Sequence, residues 1–285
     1  IARIVNISAT PILMAEAVLS NTGGVATLVG DPPNIMIGSV ASFSFIDFLT
    51  HVAPIVLGAW VVVLLTLKLA FRQQLQRKPS GAEDLVNWDE KKAIKDKATC
   101  WKILGVLGLV IVLFFTHHLL HMPPAMVALI GASLALVLVS LRSDPQPILA
   151  RVEWSVLLFF AALFVLVGGL EHAGVLHAVA KKITSSASSD PVITALAILW
   201  VSAIVSALVD NIPFTMAMIP VIQHLEKAGN AGEVDLFWWV LALGVGFGGN
   251  GSPIGATANV VVVSKSEETE EPITFRKWVK SGTLS

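Results

Sequence analysis

Charge is scarce in this chain: Asp, Glu, Lys and Arg make up 14% of its 285 residues, and the net charge at neutral pH is only -1. Soluble domains carry about a quarter charged residues, so this composition argues against a water-facing fold. No excess of basic residues is present to meet a phosphate backbone, which argues against nucleic acid as a partner. Cysteine is almost absent too. The single Cys100 rules out an intrachain disulfide, and beside Trp101 and Lys102 at an expected membrane boundary it reads as inert. No HExxH or GxSxG occurs and the serines lie apart from the histidines, so no enzyme is expected. His117, His118 and His121 have helical metal spacing, but with no acidic neighbour they are not read as a metal site, and no cofactor is expected beyond Na+ or H+ as a coupling ion.

What is abundant is apolar sequence. Hydrophobic residues make up 55% of the chain and the mean hydropathy is +0.77. A span needs about 20 apolar residues to cross about 30 Å of hydrocarbon. Residues 48–71, 103–120, 124–141 and 154–170 read as ordinary spans. Residues 171–185, EHAGVLHAVAKKITS, read as an amphipathic helix on the outer interface.

Two further hydrophobic stretches, 12–38 and 235–264, are each interrupted by Gly, Pro and Asn. The interruptions read as the same element. Without a gap, Gly23, Gly24, Gly30, Asn34 and Ser39 recur as Gly248, Gly249, Gly255, Asn259 and Ser264, with Thr27 matched by Ser252. Backbone groups in such a stretch cannot all find helical partners, so each is expected to be a broken helix lining a cavity. Residues 192–226 are too short for two full spans and a turn, and Asp210-Asn211-Ile212-Pro213 lies at their centre. Two legs of about 12 to 17 residues, rising about 1.5 Å each, give a re-entrant hairpin. The alternative, one kinked helix, puts an aspartate near the bilayer centre at about 2.5 to 3.5 kcal/mol.

A hairpin adds no crossing, so the second broken helix runs opposite to the first and the repeat is inverted. Residues 1–71 then form the C-terminal part of one repeat, 72–99 a cytoplasmic loop, and 100–285 a second repeat ending in a cytoplasmic tail, 265–285. With that loop inside, only Lys181, Lys182 and Lys227 of the 19 basic residues lie outside. Trp101 and Trp154 would start helices at the inner face, and Trp238 and Trp239 at the outer. The chain starts at Ile1 and shows no final span, so a fragment of a longer protein is expected.

Half-helix N-termini suit an anion, and half-helix C-termini with unwound carbonyls suit a cation. Gly23, Gly24, Gly30, Gly248, Gly249, Gly251 and Gly255 are expected to allow close backbone approach and positive φ. Asn34 and Asn259 supply donor and acceptor, and Thr27, Ser252 and Thr257 supply hydroxyls. Asp31 and Asp210 either bind a cation or proton, or cap the half-helices that begin at Pro32 and near Pro213. Glu16 faces either the pocket or a neighbouring helix.

Four ordered motifs carry a family resemblance: EAVLSNTGGVATLVGDPPNIMIGS at 16–39, RVEWSVLLFFAALFVLV at 151–167, SALVDNIPFTMAMIPVI at 206–222 and GGNGSPIGATANVVVVS at 248–264. They resemble the ion transporter superfamily of the melanosomal P protein, arsenite permeases and citrate-transporter-like proteins, and most of all the P protein and its prokaryotic relatives. The resemblance implies an all-α polytopic membrane protein, an inverted-repeat secondary transporter with broken helices and a hairpin in each repeat. It further implies a homodimer moving by an elevator motion in the inner or plasma membrane. Carried over by motif, Ser20, Asn21, Thr27, Asp31 and Asn34, Asp210, Asn211 and Thr215, and Asn250, Ser252 and Asn259 would hold a small ion and its coupling ion. An anion is favoured over a Na+/H+ exchange reading centred on Asp31 and Asp210, and over an anion channel.

Overall fold

The computed structural model describes residues 7–76, 96–140, 144–152, 154–175, 178, 190–228, 231–269 and 271–282, among which every regular element is a helix. The first broken helix consists of α1 (Thr10–Gly24) and α2 (Pro32–Ala41). Asp31 is extended, as the residue before a proline must be, and Pro32 and Pro33 then open α2, where their missing N–H groups cost nothing. The span expected at 48–71 divides in two. Ser44 and Asp47 form a reciprocal capping box that starts α3 (Phe45–His51), and Pro54 in the first turn of α4 (Ala53–Ala70) restarts the helix. A short α5 (Arg72–Leu75) follows; residues 77–95 of the expected loop lie outside the described residues.

The next span is α6 (Lys97–Thr116), shifted towards the N-terminus from the expected 103–120. The Asp96 carboxylate accepts from Ala98 and Thr99 N–H at 2.9 and 3.2 Å, which draws the polar first turn into the helix. At its other end Met122 N–H donates to His117 O, turning the chain into α7 (Pro124–Ser140). After α8 (Gln146–Leu149) comes α9 (Trp154–His172); most of the expected interfacial helix at 171–185, with Lys181 and Lys182, lies outside the described residues. Trp101 and Trp154 are exposed, as interfacial anchors are, but Trp238 is buried and donates to Glu226 Oε1 at 2.7 Å. Its indole therefore belongs to a protein contact and not to a lipid belt.

The stretch expected as a hairpin is α10 (Pro191–Leu208) and α11 (Asn211–Ala228), both 18 residues long and so longer than the expected legs of about 12 to 17. Asp190 caps Val192 N–H and Pro191 occupies the first turn, which extends the entry leg, while Pro220 is accommodated inside the return leg. By length and composition α4, α6 and α10 are apolar enough to cross a membrane. The second broken helix is α12 (Ala231–Gly248), a 3-10 turn (Gly249–Gly251) and α13 (Thr257–Glu267). α10 runs parallel to α12. A methyl group on Gly244 would lie 2.7 Å from Leu199 O, one on Gly248 would strike the backbone of Ala203, and one on Gly251 would lie 2.6 Å from Ala207 Cβ. Glycines thus let the two backbones touch. That register brings the turn between α10 and α11, Val209–Asp210, level with the second break.

Within the segment expected as a tail at 265–285, Glu267, Glu268 and Glu271 are exposed, but Ile273 and Trp278 fold back onto the protein. The chain reverses, Ile273 N–H donates to Ser266 Oγ at 2.8 Å, and α14 (Phe275–Gly282) buries Trp278 completely. At the other end of this contact Ser8 Oγ donates to Glu271 Oε2 at 2.6 Å and Thr10 Oγ1 to Glu271 O at 3.2 Å. α1 therefore runs antiparallel to α13, from Thr10 beside Glu271 to Asn21 beside Asn259. Two apolar clusters result. One contains Val25, Leu28, Phe48, Ile198, Ile222, Trp238 and Leu241; the other contains Met14, Val18, Val63, Leu67, Val262 and Trp278. The two breaks lie between them.

Candidate functional site

The breaks form a buried polar layer. Asn21 Nδ2 donates to Asn250 Oδ1 at 3.0 Å and to Asn259 Oδ1 at 2.7 Å, and Asn250 Nδ2 donates to Thr22 Oγ1 at 3.1 Å. Asn21, Thr22, Asn250 and Asn259 are all buried. Buried amides need partners, and here each half-helix supplies those of the other. The two broken helices are thus joined by side chains more than 200 residues apart in the chain (|i−j| 229, 238 and 228).

Internally the breaks are twins. Asn34 Nδ2 donates to Gly24 O at 3.3 Å and Thr27 O at 2.9 Å; Asn259 Nδ2 donates to Gly249 O at 2.7 Å and Ser252 O at 2.8 Å. Gly30 N–H donates to Thr27 O at 3.2 Å and Gly255 N–H to Ser252 O at 3.3 Å. The glycines serve close approach: a methyl on Gly24 would lie 2.7 Å from Gly30 O, and one on Gly249 would lie 3.1 Å from Gly255 O. They do not serve positive φ, contrary to expectation, because among the described residues only Gly174 is a glycine of that kind. The asparagine acts as an internal cap, filling carbonyls that the helix break leaves open.

The twins differ where ligand chemistry would be decided. Asp31 occupies the position of Ala256. Its carboxylate makes no cap hydrogen bond to α2 and instead accepts from Asn211 Nδ2 at the start of α11, with distances of 3.1 and 3.4 Å to its two oxygens. Asp210 does cap, accepting from Ile212 N–H at 3.0 Å. Asn34 Oδ1, on a residue only 1% exposed, has no hydrogen-bond partner among the described residues, while Asn259 Oδ1 is filled by Asn21. α2 opens on two prolines with no N–H to offer, whereas α13 opens on Thr257 and Ala258.

Of the remaining candidates, Thr215 is buried with its hydroxyl donated to Asn211 O, and Ser252 Oγ accepts from Ile254 N–H. Ser20 is exposed and outside the layer, and so is Glu16. Two members were missed from the sequence. Thr22 was legible as the polar neighbour of Asn21, and Trp278 only as a large apolar residue on a basic helix. His117, His118 and His121 line a cavity of about 410 Å³ with Ser39 and Ser42. No group of three or more His, Cys, Asp or Glu among the described residues is placed to hold a metal.

The citrate transporter family model matches residues 1–244. The chain belongs to the citrate transporter family. It is similar to a 46 kDa membrane protein of Mycobacterium leprae, 41% identical over 278 residues, which cover 97% of this chain and 64% of that protein. It is 40% identical over 280 residues to an uncharacterized transporter of Mycobacterium tuberculosis, covering 98% and 65%. The P protein of Sus scrofa is 30% identical over 360 residues, covering 98% of this chain and 42% of that protein. The chain therefore spans just under two thirds of the first two relatives and less of the third. Family membership and apolar helices together make it an integral, multi-pass membrane protein of a transporter family, not an enzyme.

Proposed function

We propose that the complete protein is a secondary active transporter of a small anion, working by alternating access and driven by H+ or Na+. The observation that carries this reading is the pair of unlike breaks, placed side by side between two apolar clusters. The first break has a carboxylate, an unfilled amide oxygen and no N–H groups at its restart, which suits a cation. The second has no acid, a filled amide oxygen, and N–H groups with the Thr257 hydroxyl at the start of α13, which suits an anion. Coupling follows if the two bound ions stabilise different conformations unequally. Inverted repeats and a homodimer that moves its site as an elevator complete the proposal; the antiparallel course of α1 and α13 favours the first of these.

The test is uptake by the full-length protein in liposomes under imposed H+, Na+ and anion gradients, with and without anion inside. A carrier takes up labelled anion faster when unlabelled anion is present on the other side. Flux that follows the electrochemical gradient alone, without this stimulation, would identify a channel and overturn the carrier reading.

A further inference from the structure

Trp278 is completely buried, although it sits on a helix whose other residues are basic, small or exposed. Its indole Nε1–H donates to the backbone carbonyl of Asn250 at 2.9 Å. The 3-10 turn leaves several carbonyls without helical partners, and Gly249 O and Ser252 O are filled from within the break by Asn259. Asn250 O is filled from outside, by the C-terminal helix. At the twin position in the first break, Val25 O accepts from Asn34, so no comparable outside contact is needed there.

The Asn250 side chain meanwhile reaches across to Asn21 and Thr22. One residue therefore ties together the second break, the first half-helix and α14. The Trp278 ring lies in the apolar cluster with Met14, Ala17, Val18, Leu67 and Val262, on the side of the polar layer of Lys68, in the last turn of α4, and Lys265, in the last turn of α13. That is the side that the distribution of Lys and Arg assigns to the cytoplasm. The chain leading into α14 is tied down by short polar contacts, among them Ser266 Oγ with Ile273 N–H, Ser8 Oγ with Glu271 and Thr10 Oγ1 with Glu271 O. These involve serine and threonine hydroxyls, which exchange readily for water.

We propose that Trp278 is a positioning residue that seals the polar layer from the inner side: its indole N–H fixes the Asn250 carbonyl, its ring closes the layer, and inward opening requires this contact to break. The proposal rests on the alternating-access reading, in which one side must be closed while the other is open. An indole is suited to such a role because it combines a large apolar face with one donor, so it can sit in the apolar cluster and still satisfy a buried carbonyl. Losing the donor leaves a buried acceptor unpartnered and favours the open state in which water reaches it.

The experiment needs no knowledge of the substrate. The full-length protein, with native cysteines replaced by alanine, carries Ala256→Cys in the second break and is reconstituted in liposomes. A membrane-impermeant thiol reagent is applied from each side in turn. Trp278→Ala is expected to raise labelling from the inner side by about tenfold, and Trp278→Phe, which keeps a ring and drops the N–H, by about threefold, with outer-side rates unchanged. Equal inner rates in all three proteins overturn the proposal. So does an increase from both sides, which would mean that Trp278 only holds the fold together. Because labelling does not depend on transport, the seal stands or falls here while the carrier reading is judged by counterflow.

Discussion

The two breaks share a backbone and differ in what they leave unsatisfied. Asn34 and Asn259 reach back to carbonyls ten and seven residues earlier with the same atoms, yet only Asn259 finds a donor for its own oxygen. The comparison shows how a duplicated element can keep its geometry while its chemistry diverges. The asparagine amide nitrogen holds the break open in both copies. The amide oxygen and the residue three positions before it are free to vary, and there the copies carry an unfilled acceptor with Asp31 in one and Asn21 with Ala256 in the other.

Substitution breaks the comparison in a graded way. Asn259→Ala removes a donor to two buried carbonyls and an acceptor for Asn21, and is expected to cost about 4 kcal/mol. Asn34→Ala removes a donor to three carbonyls but no filled acceptor, so about 3 kcal/mol is expected. Asn21→Ala leaves both breaks internally capped and strips only the cross-link, for about 2 kcal/mol. Ser20→Ala, one residue earlier on the exposed face of α1, should stay within about 0.5 kcal/mol. Unfolding of the full-length protein in mixed detergent gives all four values. Equal losses for Asn34→Ala and Asn259→Ala would mean that the two breaks are energetically alike.

Much of this was legible in the sequence because it depends on local rules. A Gly-rich interruption in apolar sequence, repeated at one constant offset, announces a helix break, and Pro32 with Pro33 marks where the second half restarts. Helix boundaries were less legible because capping moved them: Asp96 and the Ser44–Asp47 box act at residues that a hydropathy window averages away. The close approach expected of the glycines is there, within each break and against α10, but the positive φ expected with it is not, because the breaks turn without leaving the right-handed and extended regions. Trp278 was hidden for another reason. Its partner is a carbonyl, and no residue type signals which carbonyl will need filling.

Asp31→Asn tests the division between the breaks most directly. The full-length protein in liposomes should lose the dependence of anion uptake on an imposed H+ or Na+ gradient, while anion-for-anion exchange continues at a rate within about threefold of the unaltered protein, because the second break is untouched. Gradient-driven uptake that survives this substitution would contradict the account.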